Sequence, residues 1–177
     1  MKLICFLKPY SFAAVLSANL CLRVLAQTGD APTVIQAALF AKIFAYEQVL
    51  ASKKNFAVCI PFASLSDTVE TDIAKQFRTI GVAVEFINES QLNLDTFKRF
   101  DAVYMFSNIN AREIHALLTK NGVLSITGAV PLVKEGLASV CVSLENSKPR
   151  IMVSKPCVKN ERRNFSADFW SMVKVFE

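Results

Sequence analysis

The chain has 177 residues and a formal charge of +5, with 53% hydrophobic residues and five cysteines. That length suits one domain around one sizeable core, not several. The charge speaks against nucleic acid, because the dense cationic clusters are only the pairs Lys53-Lys54, Lys98-Arg99 and Arg162-Arg163, and a nucleic-acid reader needs a basic face.

Residues 1–26 have the three-part layout of a cleaved secretory signal peptide. Lys2 and Lys8 give a positive start, Phe12 to Leu20 an apolar run, and Val24-Leu25-Ala26 a small residue before Gln27. Fourteen uncharged residues separate Lys8 from Arg23, fewer than the roughly 20 a spanning helix needs. Cys21 follows the bulky Leu20, where a lipobox carries a small residue, so the expected product is unlipidated. Loss of Lys2, Lys8 and Arg23 lowers the formal charge from +5 to +2. The product expected is a soluble domain over residues 27–177, outside the cytoplasm.

Asp30-Ala31-Pro32-Thr33 predicts a helix start, with proline in the first turn. The helix is expected to run to about Ala51. Ile35, Leu39, Ile43 and Leu50 form one stripe, with Phe40, Phe44 and Val49 off it. A helix apolar nearly all round is either buried on several sides or docks a partner on one of them. Phe40 and Phe44 are the candidate docking residues under the second reading.

Asn55 to Ile60, stopped by Pro61, predicts a buried strand. Ser64 or Ser66 can cap a helix carrying Leu65, Val69, Ile73, Phe77 and Ile80, ended by Gly81. Val82–Ile87 and Ala102–Phe106 read as further strands, with a loop and a short turn around Leu94–Phe100 between them. Asn110 caps a helix ending at Asn121-Gly122, and Val123–Thr127 is a fourth strand. Apolar strands alternating with helices predict a parallel sheet covered on both faces. Leu137–Leu144 and Arg150–Val153 then form a hairpin around Glu145–Pro149. The fold class expected is α/β, a three-layer sandwich: a mainly parallel sheet, an antiparallel hairpin at its edge and helices on both faces. Phe165, Phe169, Met172, Val173 and Phe176 make the stripe of a last helix capped by Ser166, with Trp170 just off it. Trp170 is either half-buried at the helix edge or part of a docking surface.

The order of these weak signals carries a resemblance. Gln36–Ile43, Phe100–Met105, Val123–Ile126, Lys134–Leu137, Lys148–Val153 and Asn164–Val175, behind a signal peptide, resemble the YfiR-like family of small exported bacterial proteins. The resemblance implies a periplasmic α/β module without enzymatic activity or cofactor. Its better understood members restrain a membrane-anchored diguanylate cyclase by binding its periplasmic part. The implied partner is therefore the periplasmic part of an inner-membrane signalling protein, and a homodimer is left open. Two family features are missing. Phe44–Leu50 lacks the Trp-Pro pair many members carry after the first helix. Cys59, Cys141 and Cys157 are too few for the two disulfides of well-studied members.

An exported chain with three cysteines can close one bridge. Cys59 reads as a small buried hydrophobe. Centring the hairpin turn on Ser147-Lys148 puts Cys141 across from Ser154, and the three further residues to Cys157 span roughly 10 Å of extended chain. A Cys141–Cys157 bridge therefore needs a bend at Pro156, and free thiols are the alternative. His115, the only histidine, is read as a surface residue, with no nucleophile and carboxylate arranged beside it. The chain carries no Gly-x-Ser-x-Gly elbow, Gly-rich phosphate loop or Cys/His zinc spacing. In open α/β sheets ligands lie beyond the carboxyl ends of the strands. Those ends offer Ser64, Ser66, Ser107, Asn108, Thr127 and Gly128 as a ligand crest, or as ordinary caps and turns. The two functions that emerge are a periplasmic regulator acting by stoichiometric binding and a periplasmic small-ligand binding module.

Overall fold

A computed structural model describes residues 28–63 and 68–177. The signal-peptide segment and the capping candidates Ser64 and Ser66 lie outside the described residues.

The elements run β1 (Thr28–Asp30), α1 (Thr33–Tyr46), β2 (Ala57–Phe62), α2 (Thr68–Thr79), β3 (Ala83–Asn88), α3 (Leu94–Phe97), β4 (Ala102–Met105) and α4 (Ala111–Asn121). They continue with β5 (Leu124–Thr127), α5 (Val130–Lys134), β6 (Val140–Glu145), β7 (Lys148–Ser154), α6 (Lys155–Asn160), α7 (Ala167–Met172) and β8 (Lys174–Phe176). One eight-stranded sheet has the order β3-β2-β4-β5-β6-β7-β8, and β1 pairs with β6. Strands β3 to β6 along that order are parallel. β4 and β5 bury every residue, as a sheet covered on both faces requires. The strand order reverses after β3, so right-handed crossovers send α2 to one face and α3 and α4 to the other. Accordingly α1 packs on α2, and α3 packs on α4. The result is the three-layer α/β sandwich that the alternation of strands and helices predicted.

Four details depart from the sequence expectations. First, β2 continues through Pro61 to Phe62. Its ladder to β4 is registered only at Val58 and Cys59, and Pro61 lies beyond it, where a missing N–H costs least.

Second, α1 stops at Tyr46, not Ala51. Glu47 turns extended, and its carboxylate accepts hydrogen bonds from the Val49 and Leu50 N–H groups at 3.0 and 2.8 Å. It thereby caps a separate 3-10 turn over Leu50–Ser52. The buried face of α1 is Gln36, Ala37, Phe40, Ile43 and Phe44, a regular helical stripe. Ile35 and Leu39 flank it, partly buried.

Third, the hairpin turns at Asn146-Ser147, both left-handed with φ of 52° and 60°, between the paired Glu145 and Lys148. This two-residue turn matches strand twist and sets Cys141 across from Met152, not Ser154.

Fourth, the last apolar stretch is split. α7 ends at Met172, and Lys174–Phe176 pairs parallel with β7 as a new edge strand. The hairpin is therefore not the edge of the sheet. The outer side of β7 would otherwise leave a row of unpaired backbone groups, which β8 satisfies. Neither β1 nor α5 was expected. β1 runs antiparallel to β6 at Ser143–Glu145, while β5 pairs at Val140 and Cys141.

Candidate functional site

Two places concentrate polar groups, at opposite ends of the sheet. At the carboxyl ends of the strands, Gln36 reaches in from α1. Its Nε2 donates to the Ala31 carbonyl at 2.7 Å, and its Oε1 accepts from the Tyr104 hydroxyl at 2.8 Å. Gly128 makes this possible: a Cβ there would stand 2.7 Å from both polar atoms of the Gln36 amide. Burial raises the Tyr104 hydroxyl pKa well above its ordinary value, so the phenol stays a donor at neutral pH. Phe40, Phe77, Tyr104 and Phe106 pack around it with ring centroids 5.0–6.2 Å apart. On this side the crest is filled by the chain itself.

The predicted crest residues separate accordingly. Thr127 is buried; its hydroxyl donates to the Met105 carbonyl and accepts from the Ala129 N–H at 2.6 and 3.0 Å. It is a structural bracket and not a ligand contact. Ser107 and Asn108 are exposed. Ser107 lines an open groove of about 330 Å³ with Asn110, Arg112, Leu132, Glu135 and Leu137.

The second polar cluster lies at the amino ends of β5 and β6. α6 closes in a Schellman turn: Arg163 N–H bonds the Val158 carbonyl, and Arg162 N–H bonds that of Lys159. The left-handed position, ordinarily glycine's, is Arg162 with φ of 54°. This turn sends Glu161 and Arg163 inward. Glu161 is fully buried. Its carboxyl accepts from the Ser125 N–H at 3.0 Å, the Ser139 hydroxyl at 2.5 Å and the Ser125 hydroxyl. Burial pushes its pKa up to about 7, opposed by these donors and by the Arg163 charge. Arg163, with a side chain only 10% exposed, pairs instead with fully buried Glu47 at 3.7 Å and donates to the Asp101 carbonyl at 3.4 Å. Two buried carboxyls thus face one guanidinium. Sequence reasoning missed this cluster. The one available signal was Glu161 lying among polar residues that read as a surface turn.

Phe40 and Phe44, the expected docking residues, are completely buried in the core and present no surface. Phe40 lies against Phe77 and Tyr104, and Phe44 against Phe56. Trp170 fares differently. It is partly buried at the end of an aromatic ledge: Phe165 stacks on Phe169 at 4.3 Å, Trp170 meets both edge-on, and Tyr46 lies 6.1 Å from Phe169. The ledge is tied to the end of α1 by the Ser166 N–H on the Tyr46 carbonyl and the Gln48 N–H on that of Asn164. Val49 and Met172 are 55% and 49% exposed. They flank the ledge in the chain.

Cys59, Cys141 and Cys157 are all free and buried. The register leaves Cys157 five residues past the cross-strand partner of Cys141, and Ser154 then starts α6 by capping the Cys157 N–H. That helix, not a bend at Pro156, decides the position of Cys157, so the Cys141–Cys157 bridge is absent. Burial pushes the thiols up to about 12, 12 and 11, which keeps them protonated and unreactive at neutral pH. His115 is half-buried on α4 rather than a surface residue, and desolvation lowers its pKa. Among the described residues no group of His, Cys, Asp or Glu is arranged to hold a metal ion. No described helix is long and apolar enough to cross a membrane.

No family model and no curated protein matches the chain. Among solved structures it is similar to a conserved domain protein from Vibrio cholerae O1 biovar El Tor, with a TM-score of 0.61 and 9% identity over 83% of this chain. The match spans 60% of that protein's length. At that identity the likeness establishes a shared α/β fold.

Proposed function

We propose that the chain is an exported regulatory protein that restrains a membrane-anchored signalling protein, such as a diguanylate cyclase, by binding its periplasmic part stoichiometrically. The signal-peptide layout and the YfiR-like order of elements support this reading. The observation that carries it is the contrast between the two candidate surfaces. Gln36, Tyr104 and the close approach at Gly128 fill the strand-end position where an open α/β sheet ordinarily takes a ligand. At the end of the aromatic ledge Trp170 is partly exposed, and Met172, two residues further along the chain, is exposed. Tryptophan and tyrosine are enriched among the residues that carry most of the binding energy of protein interfaces. Docking there would stabilise the partner's inactive conformation, and release would free it.

The test is capture of membrane proteins on the purified chain, read beside cellular cyclic di-GMP in a deletion strain. The expected result is one enriched membrane receptor, a rise in cyclic di-GMP on deletion, and at least tenfold weaker capture by Trp170→Ala. Recovery of no membrane receptor, together with unchanged cyclic di-GMP, would overturn the reading.

A second reading is a small-ligand module, favoured by the groove that Ser107, Asn110, Arg112 and Glu135 line. A thermal-shift screen distinguishes it, because a ligand bound only by the folded state raises the melting temperature.

A further inference from the structure

The cluster around Glu161 is built like a switch. A fully buried carboxyl normally has an ion-pair partner. Arg163, the nearest guanidinium, is 3.7 Å from Glu47, and the hydrogen bonds to the Glu161 carboxyl come from Ser125 and Ser139, which are neutral donors. Either serine hydroxyl can also accept, so the same geometry serves a carboxylic acid. Burial favours the acid, the three donors and the Arg163 charge favour the carboxylate, and burial is the largest of these effects.

We propose that Glu161 is a proton-operated latch: its protonated carboxyl holds the turn after α6 against β5 and the segment before β6, and its ionisation loosens that turn and the chain leading from it into α7. The groups facing it are few. Ser125 comes from β5 and Ser139 from the segment before β6. Arg163 and the Cys157 thiol belong to its own segment. Gly122, the cap of α4, approaches the Glu161 main-chain oxygen. Glu47 acts through Arg163, while the Asp101 carboxylate is engaged by Lys53 and the Ala57 N–H.

The sign follows from burial. The closed segment holds its proton up to about pH 7, whereas an exposed glutamate releases it near 4.5. The hold is therefore complete below about pH 4.5 and declines as pH rises through about 7. The opening equilibrium changes on the order of a hundredfold across that window. In an exported protein the latch would follow external pH. That consequence rests on the regulatory reading, but the latch does not.

Amide hydrogen exchange on the purified protein tests it, after correction for the intrinsic pH dependence of exchange. Trp170, the only tryptophan, supplies fluorescence as a second readout. Protection of residues 161–170 should fall on the order of a hundredfold between about pH 4.5 and 8, while β4 amides hold steady. Glu161→Gln should remove the dependence. Ser139→Ala, which removes one donor to the ionised form, should extend the decline to higher pH. His115 acts with the opposite sign, since desolvation lowers its pKa. His115→Gln should therefore leave the decline in place. A flat profile, or a profile unchanged in both Glu161→Gln and Ser139→Ala, would overturn the latch. No partner enters this experiment, so its failure and that of the regulatory reading are distinguishable.

Discussion

β4 and β5 bury every residue, and their neighbours are phenylalanines, valines and isoleucines from helices on both faces. The C-terminal flank is different. β7 begins with three exposed residues, β8 has none fully buried, and the turn between α6 and α7 is held by Glu161, Arg163 and Glu47. Apolar burial is indifferent to pH and roughly proportional to area. A buried charge cluster depends on protonation and on a few atoms in register. The same chain therefore contains a scaffold insensitive to its surroundings and a flank that responds to them. The aromatic ledge proposed to meet a partner lies on the responsive side.

That comparison can be broken from either end. Phe40→Ala removes a fully buried ring that contacts Phe77 and Tyr104. It should cost about 3–5 kcal/mol in urea unfolding, with the same loss at about pH 5 and pH 8. A loss that changed with pH would mean that the scaffold is not independent of the charge cluster. Arg163→Met strips the partner from buried Glu47 and the favourable charge from Glu161. It should cost about 3 kcal/mol and more at pH 8 than at pH 5, because Glu161 is then ionised and also uncompensated. An equal loss at both pH values would show that Arg163 acts through packing alone. The smallest effect belongs to Arg162→Gly. Glycine relieves a left-handed backbone at φ of 54° and should stabilise by up to about 1 kcal/mol. A destabilised variant would show that the Arg162 side chain contributes contacts beyond the turn.

The central scaffold was legible because parallel strands buried on both faces are uniformly apolar. Ala102–Met105 and Leu124–Thr127 announce themselves, and the helices between them keep their period. The element boundaries failed where a side chain acted at a distance. Glu47 reads as one more helical residue, yet its carboxylate caps the next turn and ends α1. Met172, Val173 and Phe176 continue a helical stripe, yet the open side of β7 draws Lys174–Phe176 into the sheet. Phe40 and Phe44 looked like a surplus of apolar residues because the stripe was drawn through Ile35 and Leu39. The actual stripe is rotated toward Gln36 and Ala37, and both phenylalanines fall in the core.

The site was legible only in part. The strand-end crest follows from sheet topology alone, but whether it stands open depends on Gln36, Tyr104 and Gly128, residues 36, 104 and 128 along the chain. The same is true of Ser125, Ser139 and Glu161. Local pattern, period and turn chemistry are properties of neighbouring residues, and they were sufficient for the α/β class, most of the elements and the two-sided burial of the sheet. Which polar groups become each other's partners is a property of closure. Only the folded chain brings distant residues into contact and withdraws water from them, and so only the tertiary structure decided that two buried carboxyls share one guanidinium and that Trp170 stays partly exposed while Phe40 and Phe44 do not.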